Sequence, residues 1–320
     1  MTVRHFLDIT DLTLAELHRV LALSIAPIAD LGHPLAGLGA ALIFEKPSSR
    51  TRHSMEMAVF QLGGHPIYTR GDEVGFDKRE TVEDVTRIMA GYHAVLAARV
   101  FEHSVVARMA AVSSVPVVNM LSDHSHPLQA LADVLTMTEE FGDLEGRTIA
   151  YVGDFNNVAL SLAQACVMLG AHVRVGCPVG YDATDDELFT LNSLGSGTVT
   201  QTSDPLVAVD GADAVHTDTW TSMGQEVEKA QRMEVFGHYQ VNDGLMAGAG
   251  DSAIFMHCLP AYRGFEVAAD VIDGPRSRVY RQGHNRMHAA RGLLAFLLST
   301  NAISTNAIST NANSTDAERP

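Results

Sequence analysis

Short apolar runs alternate with segments of helical spacing along most of this chain, and that alternation constrains its fold more than any other feature. Ala40 to Phe44, AVLAARVF with Arg99 near its end, VPVVNML, TIAYVGD, Ala171 to Cys177, AVHTD and AIFMHCLP all read as buried strands. Between them, Thr81 to Gly91, Ser104 to Val112, the stretch after Pro127, Val158 to Leu169 and the segment from Asp185 carry helical patterns. Strands separated by helices pair in parallel through crossovers, since a hairpin leaves no room for the helix. The expected class is α/β, with two doubly wound parallel-sheet domains joined by interdomain helices.

The 320 residues exceed what one core usually organises, which supports two domains. The first is expected over 1–137, with an apolar C-terminal helix, 284–298, packing back on it; the second is expected over 138–283. An N-terminal helix carrying Leu14, Leu17, Leu21 and Ile25 is expected to cover the first domain. GDEVGFDKRET, Gly71 to Thr81, reads as a polar loop. From Ser299 the chain turns into STNAISTNAISTNANSTDAERP, a polar repeat without an amphipathic face, so 299–320 is expected to be a disordered low-complexity tail. The glycosylation sequon at Asn313 to Thr315 reads as a chance match within it.

The net charge of -16 argues against non-specific nucleic-acid binding and against docking on an anionic membrane, which both need a positive footprint. An anionic ligand therefore requires a local cluster of arginines. The three cysteines, Cys166, Cys177 and Cys258, are odd in number and lack metal-type spacing, so neither a disulfide framework nor a metal site is expected. The N-terminus MTVRHFLDITDL has no apolar export core, and no run approaches the roughly 20 apolar residues of a spanning helix. A cytoplasmic location is expected.

In open α/β sheets, ligands bind beyond the carboxyl ends of the strands. The residues there are Ser48 to Arg52, Arg99, His126 with Gln129, Asp154 to Asn157, Asp218 with Trp220, and His257 to Pro260. In FEKPSSRTRHSM, Phe44 to Met55, the hydroxyls of Ser48, Ser49 and Thr51, the guanidinium groups of Arg50 and Arg52, and a helix N-terminus all donate hydrogen bonds, as a phosphate requires. Arg99 lies in an apolar strand, where its charge needs an anion. His126 reads either as a cap or as a donor to a carbonyl oxygen, together with Gln129 one turn later. VGDFNNV has only Gly153 where a dinucleotide fold carries its glycines, which disfavours a nicotinamide dehydrogenase. Asn156 and Asn157 read as helix caps or as carboxylate ligands. Asp218 reads as a cap or as one anchor for an amino acid, and Cys258 as a buried inert thiol, a weak donor or a thiolate.

Taken in order, FEKPSSRTR, ARVF, HPLQALAD, GDFNN, DTWTSMGQE, HCLP and GHNRMH resemble the ornithine carbamoyltransferases over about residues 4 to 298. The resemblance implies that Ser48, Ser49, Arg50, Thr51, Arg99 and Arg286 hold the phosphate of carbamoyl phosphate, that His126 and Gln129 bind its carbamoyl group, and that Cys258 and Leu259, counted with the carbamoyl-phosphate set, lie beside the reacting centre. Asn157, Asp218, Ser222 and Met223 would bind L-ornithine. Arg50, Arg99, His126, Asp218 and Cys258 are the implied catalytic set. It also implies a site between two α/β domains, a homotrimer, a place in arginine metabolism and no cofactor. Ser49 stands where the family usually has threonine, which keeps the hydroxyl. The Gly71 to Thr81 loop, which in the family serves a neighbouring subunit, aligns ambiguously at Glu73, Gly75 and Lys78, and no role is carried onto it. Rival readings are transfer to putrescine or a modified ornithine, and a non-catalytic paralogue.

Overall fold

The apolar strands build two separate sheets, and every strand pair in both is parallel. The computed structural model describes residues 3–221 and 226–312, with 226 and 300–312 described by backbone alone. One compact unit comprises the chain up to Asp123 together with the residues from Met287 on; the other is His124–Arg286. This division falls earlier than the boundary expected at 137. His126, Gln129 and Arg286 therefore all belong to the second unit.

The first unit runs α1 (Leu14–Ile25), β1 (Gly39–Phe44), α2 (Ser49–Gln61), β2 (His65–Arg70), a short α3 (Gly71–Val74), α4 (Val82–Tyr92), β3 (Val95–Arg99), α5 (His103–Val112) and β4 (Val117–Leu121). Its strand order is β2-β1-β3-β4. Strands β1 and β3 are central and covered on both faces, which is why they read as unbroken apolar runs. Ile43, Leu96, Ala98, Val106 and Met109 form part of the core beside them. The chain adds β2 on one side of β1 and then returns to place β3 on the other, so the topological switch lies between β1 and β3. Phe44 pairs with Arg99 in register. The loop leaving β1 and the arginine ending β3 are neighbours by construction.

The second unit runs α6 (Pro127–Phe141), β5 (Thr148–Val152), α7 (Asn157–Met168), β6 (His172–Gly176), α8 (Asp185–Asn192), β7 (Thr198–Thr202), α9 (Pro205–Val209), β8 (Ala214–Thr217), α10 (Lys229–Phe236), α11 (Asp243–Met246), β9 (Ile254–His257) and α12 (Ala269–Ile272). Here the order is β7-β6-β5-β8-β9, with the switch between β5 and β8. Val152, Val215, Phe255, Trp220 and Phe236 pack in its core. Thr217 pairs with His257, which brings the next residues of the two strands, Asp218 and Cys258, side by side.

Some elements differ from expectation. Strand β7, TVTQT, reads as polar because it is an edge strand with only Val199 fully buried. The Gly71 to Thr81 loop begins with α3, and Arg108 holds Asp77 at 2.6 Å and Glu83 at 2.7 Å. The last helix, α13, runs Val279–Ala312 rather than 284–298. Once a helix is nucleated each added residue gains a hydrogen bond, so the polar repeat extends it past 299 without an amphipathic face. The rest of the tail, 313–320, lies outside the described residues. Within the first unit, α13 lies against α1. Arg291 donates to the Ser24 carbonyl at 2.8 Å, and a Cβ on Gly292 would meet Val20 O at 2.7 Å. Among the described residues no helix is long and apolar enough to cross a membrane.

Candidate active site

In the first unit the site begins with the N-terminus of α2. Ser48 is its N-cap and accepts the Thr51 N–H at 3.3 Å, while the Ser48 hydroxyl donates to Thr51 Oγ1 at 3.1 Å. No acidic residue occupies the first turn, so the positive end of the helix dipole is not offset there. Arg99 is buried and donates from NH1 to Thr51 Oγ1 at 3.4 Å, which ties the end of β3 to the cap of α2. Ser49 and Arg50 are exposed on the first turn. Lys46, which sequence reasoning missed, adds a cation: its Nζ lies 4.5 Å from the centroid of the Phe101 ring. Burial, and next the like charge of Arg99, lower its pKa. Its place inside the FEKPSSRTR loop was the available signal. Lys46, Arg50, Arg99 and a helix N-terminus make this set suited to a dianion.

In the second unit, Asp218 directly follows β8 and is 7% exposed. Its Oδ1 accepts the Thr219 N–H at 2.7 Å and the Cys258 thiol at 3.0 Å, and its Oδ2 accepts Asn156 Nδ2 at 3.3 Å. Burial, and then the neighbouring Asp218 carboxylate, push the Cys258 thiol well above its ordinary range. Cys258 is thus a neutral S–H donor, and the thiolate reading is set aside. The two asparagines separate. Asn156 caps α7, accepting from Val158 N at 2.9 Å and Ala159 N at 3.1 Å. That leaves Asn157, on the first turn and partly exposed, as the candidate ligand. Asp154 is taken by Arg232, whose NH1 donates to it at 2.6 Å and to the Trp220 carbonyl at 3.2 Å. Ser222 and Met223 lie outside the described residues.

The remaining site residues meet around α6. His126 is the buried N-cap residue, its ring makes no capping hydrogen bond, and its N–H donates to Ser161 Oγ at 3.0 Å. Gln129 Oε1 accepts NH1 of Arg286, while Gln129 Nε2 donates to Asp133 Oδ1 at 2.7 Å. Leu259 has φ 59, a strained value for a side chain branched beyond Cβ, and its N–H donates to His257 Nδ1 at 2.9 Å. The group its main chain offers is therefore the carbonyl oxygen. His257 is itself held through Nε2, 3.2 Å from the buried Glu266.

Asp218, His257 and Cys258 place candidate ligand atoms within 4.8 Å of one another. Both ring nitrogens of His257 and the thiol hydrogen are already committed to protein partners, so this donor set does not offer three open positions for a cation.

The chain matches two family models: "Aspartate/ornithine carbamoyltransferase, carbamoyl-P binding domain" over residues 4–139 and "Aspartate/ornithine carbamoyltransferase, Asp/Orn binding domain" over 145–297. It is 45% identical over 307 residues to an ornithine carbamoyltransferase of Parafrankia sp., covering 93% of this chain and 97% of that protein. The solved ornithine carbamoyltransferase from Pyrococcus furiosus superposes with a TM-score of 0.88 at 40% identity, over 93% of this chain and 98% of that one. A solved N-acetyl-L-ornithine transcarbamylase superposes with a TM-score of 0.83 at 28% identity, over 92% and 100%. Matches that span both sheets and the strand ends just described, at identities this high, establish that the chain belongs to the aspartate/ornithine carbamoyltransferase family.

Proposed function

We propose that this protein transfers the carbamoyl group of carbamoyl phosphate to the δ-amine of L-ornithine, giving L-citrulline and phosphate. The observation that carries the acceptor assignment is Asp218, a carboxylate oriented by three donors, one of them the neutral Cys258 thiol. Such a group attracts an amine and does not compete with it as a nucleophile. Lys46, Arg50 and Arg99 take the phosphate and stabilise it as it leaves; Arg286 contributes to the same end. His126 and Gln129 orient the carbamoyl group, the Leu259 carbonyl accepts from its amide, and Asn157 holds the amino-acid end of ornithine.

The reaction then needs no covalent intermediate on the protein. The neutral amine attacks the carbamoyl carbon, a C–N bond forms, and the C–O bond to phosphate breaks as the nitrogen gives up its proton. An alkyl amine has an unperturbed pKa of about 10.4, so the site must favour the deprotonated amine. Because Cys258 already carries its proton and donates it to Asp218, Asp218 is the group placed to receive the amine proton.

The resemblance to an N-acetyl-L-ornithine transcarbamylase makes the acceptor the decisive question. Purified protein with carbamoyl phosphate is tested with L-ornithine, N-acetyl-L-ornithine, putrescine or no acceptor, following phosphate release and the carbamoylated product. Turnover with L-ornithine alone is expected; turnover confined to another acceptor, or none at all, overturns the assignment. The homotrimer belongs to the same reading, and light scattering at three chain masses tests it.

A further inference from the structure

Beneath Gln129 and Arg286 lies a polar cluster to which neither the sequence pattern nor the family match gives a role. Asp133, one turn after Gln129 on α6, is fully buried, as are His216 on β8 and Gln282 on the first turns of α13. Asp133 Oδ1 accepts from Gln129 Nε2 at 2.7 Å and from Gln282 Nε2 at 2.6 Å. Its Oδ2 makes no hydrogen bond and stands 3.5 Å from His216 Nε2. Gln282 is fixed in turn, because its Oε1 accepts the main-chain N–H of His257 at 2.9 Å. His216 is stacked on Tyr151 with ring centroids 5.6 Å apart.

A glutamine amide can present its oxygen and nitrogen in either order, and only its neighbours decide which. A carboxylate is an acceptor alone, so Asp133 draws Nε2 of Gln129 toward itself and leaves Oε1 facing the Arg286 guanidinium, which is a donor alone. Turning the amide over would set nitrogen against nitrogen at Arg286 and oxygen against oxygen at Asp133. The carboxylate also supplies the buried negative charge that lies one amide away from buried Arg286.

We propose that Asp133 is a positioning residue for carbamoyl phosphate: it sets the amide of Gln129 and, through that amide, the guanidinium of Arg286. The inference rests on the carbamoyl-transfer reading above. No hydrogen bond joins Asp133 directly to Asp218 or Cys258 among the described residues; the link to that set is indirect, through Gln282 to the His257 main chain.

The test compares Asp133→Ala and Asp133→Asn with the wild-type full chain, measuring KM for each substrate at saturating concentration of the other, together with thermal melting. Losing the acceptor in Asp133→Ala is expected to raise KM for carbamoyl phosphate about tenfold or more, with KM for L-ornithine within about twofold. Asp133→Asn keeps one oxygen for both amides and is expected to raise the same KM by about threefold. A role in folding alone lowers the melting temperature and yield but leaves both KM values of the folded protein unchanged, and that result overturns the proposal. So does an equal rise in both. If Asp133→Ala is insoluble, Asp133→Asn decides by the same criteria. A wild-type protein inactive with carbamoyl phosphate and L-ornithine sinks the underlying reading and this inference together. An active wild type with unaffected variants sinks this inference alone.

Discussion

Replacing Asp218 by asparagine keeps the shape of the side chain while exchanging one acceptor oxygen for a donor and removing the charge. Asn156 cannot turn to compensate, because its Oδ1 already caps α7 through Val158 N and Ala159 N. The new amide must set its nitrogen either against Asn156 Nδ2 or against both the Thr219 N–H and the Cys258 thiol. The first arrangement is less costly, forfeiting one long hydrogen bond, and the expected loss of stability is about 1–2 kcal/mol. Ornithine loses a charge-assisted bond worth about 1.5–3 kcal/mol. At about 1.4 kcal/mol per decade, the lost contact alone lowers kcat/KM for ornithine roughly 10- to 100-fold, and loss of the proton acceptor lowers it by a further factor of about 100 or more. Carbamoyl phosphate affinity changes by less than about twofold, since none of its proposed ligands hydrogen-bonds through Asp218 except Cys258. Urea unfolding reads the first quantity, and steady-state kinetics with each substrate varied in turn reads the others. Equal loss toward both substrates, or unimpaired use of ornithine, would refute the division of labour between the two sets.

Arg99→Met removes the buried guanidinium at the end of β3 and is expected to raise KM for carbamoyl phosphate about 100-fold, against about tenfold for Lys46→Met, since the planar fork makes two bonds where the ammonium makes one; the reverse order in kinetics would reassign the phosphate ligands. Iodoacetamide is expected to modify Cys258 more slowly at pH 7.5 than it modifies an ordinary free thiol, with the rate still climbing at pH 9.5, because burial and Asp218 hold the thiol protonated; mass spectrometry that finds fast modification at pH 7.5 contradicts the neutral thiol. Gly292→Ala puts a Cβ 2.6 Å from Ser24 N and 2.7 Å from Val20 O, backbone atoms that cannot rotate away. Overpacking there is expected to cost about 1–3 kcal/mol in urea unfolding, and an unchanged midpoint would mean that α13 does not sit against α1 as described.

The elements most legible in the sequence were those buried on both faces. Strands β1, β3, β5 and β8 stand out because a central parallel strand is largely apolar, and β9 does so because it is buried along its length although it lies at a sheet edge, whereas the edge strand β7 carries threonines and a glutamine and has no apolar run. The start of α2 within the Phe44 to Met55 stretch was also legible as a helix N-terminus after an apolar strand, while the capping of that helix by Ser48 through Thr51 came from the structure. Asn156 and Asn157 could not be told apart, because either could begin a helix and only the backbone geometry assigns the cap. Likewise Cys258 carried three readings until its neighbour was known: a thiol beside a cation becomes a thiolate, and one beside a buried carboxylate becomes a donor.

By itself, the order of residues determined the fold class, the number of sheets and the anion-binding character of the Phe44 to Met55 stretch, all of which follow from periodicity and from interactions a few residues long. The partnerships that make a site were decided by tertiary structure. Arg99 reaches Thr51 because β3 lies beside β1; Asp218 meets Cys258 because Thr217 and His257 share a register; Asp133 meets Gln282, far along the chain, in the core of the second unit. The physical reason is that many strand orders and registers bury the same apolar residues equally well. Hydrophobic patterning therefore specifies that a strand is buried but leaves open which strand lies next to it.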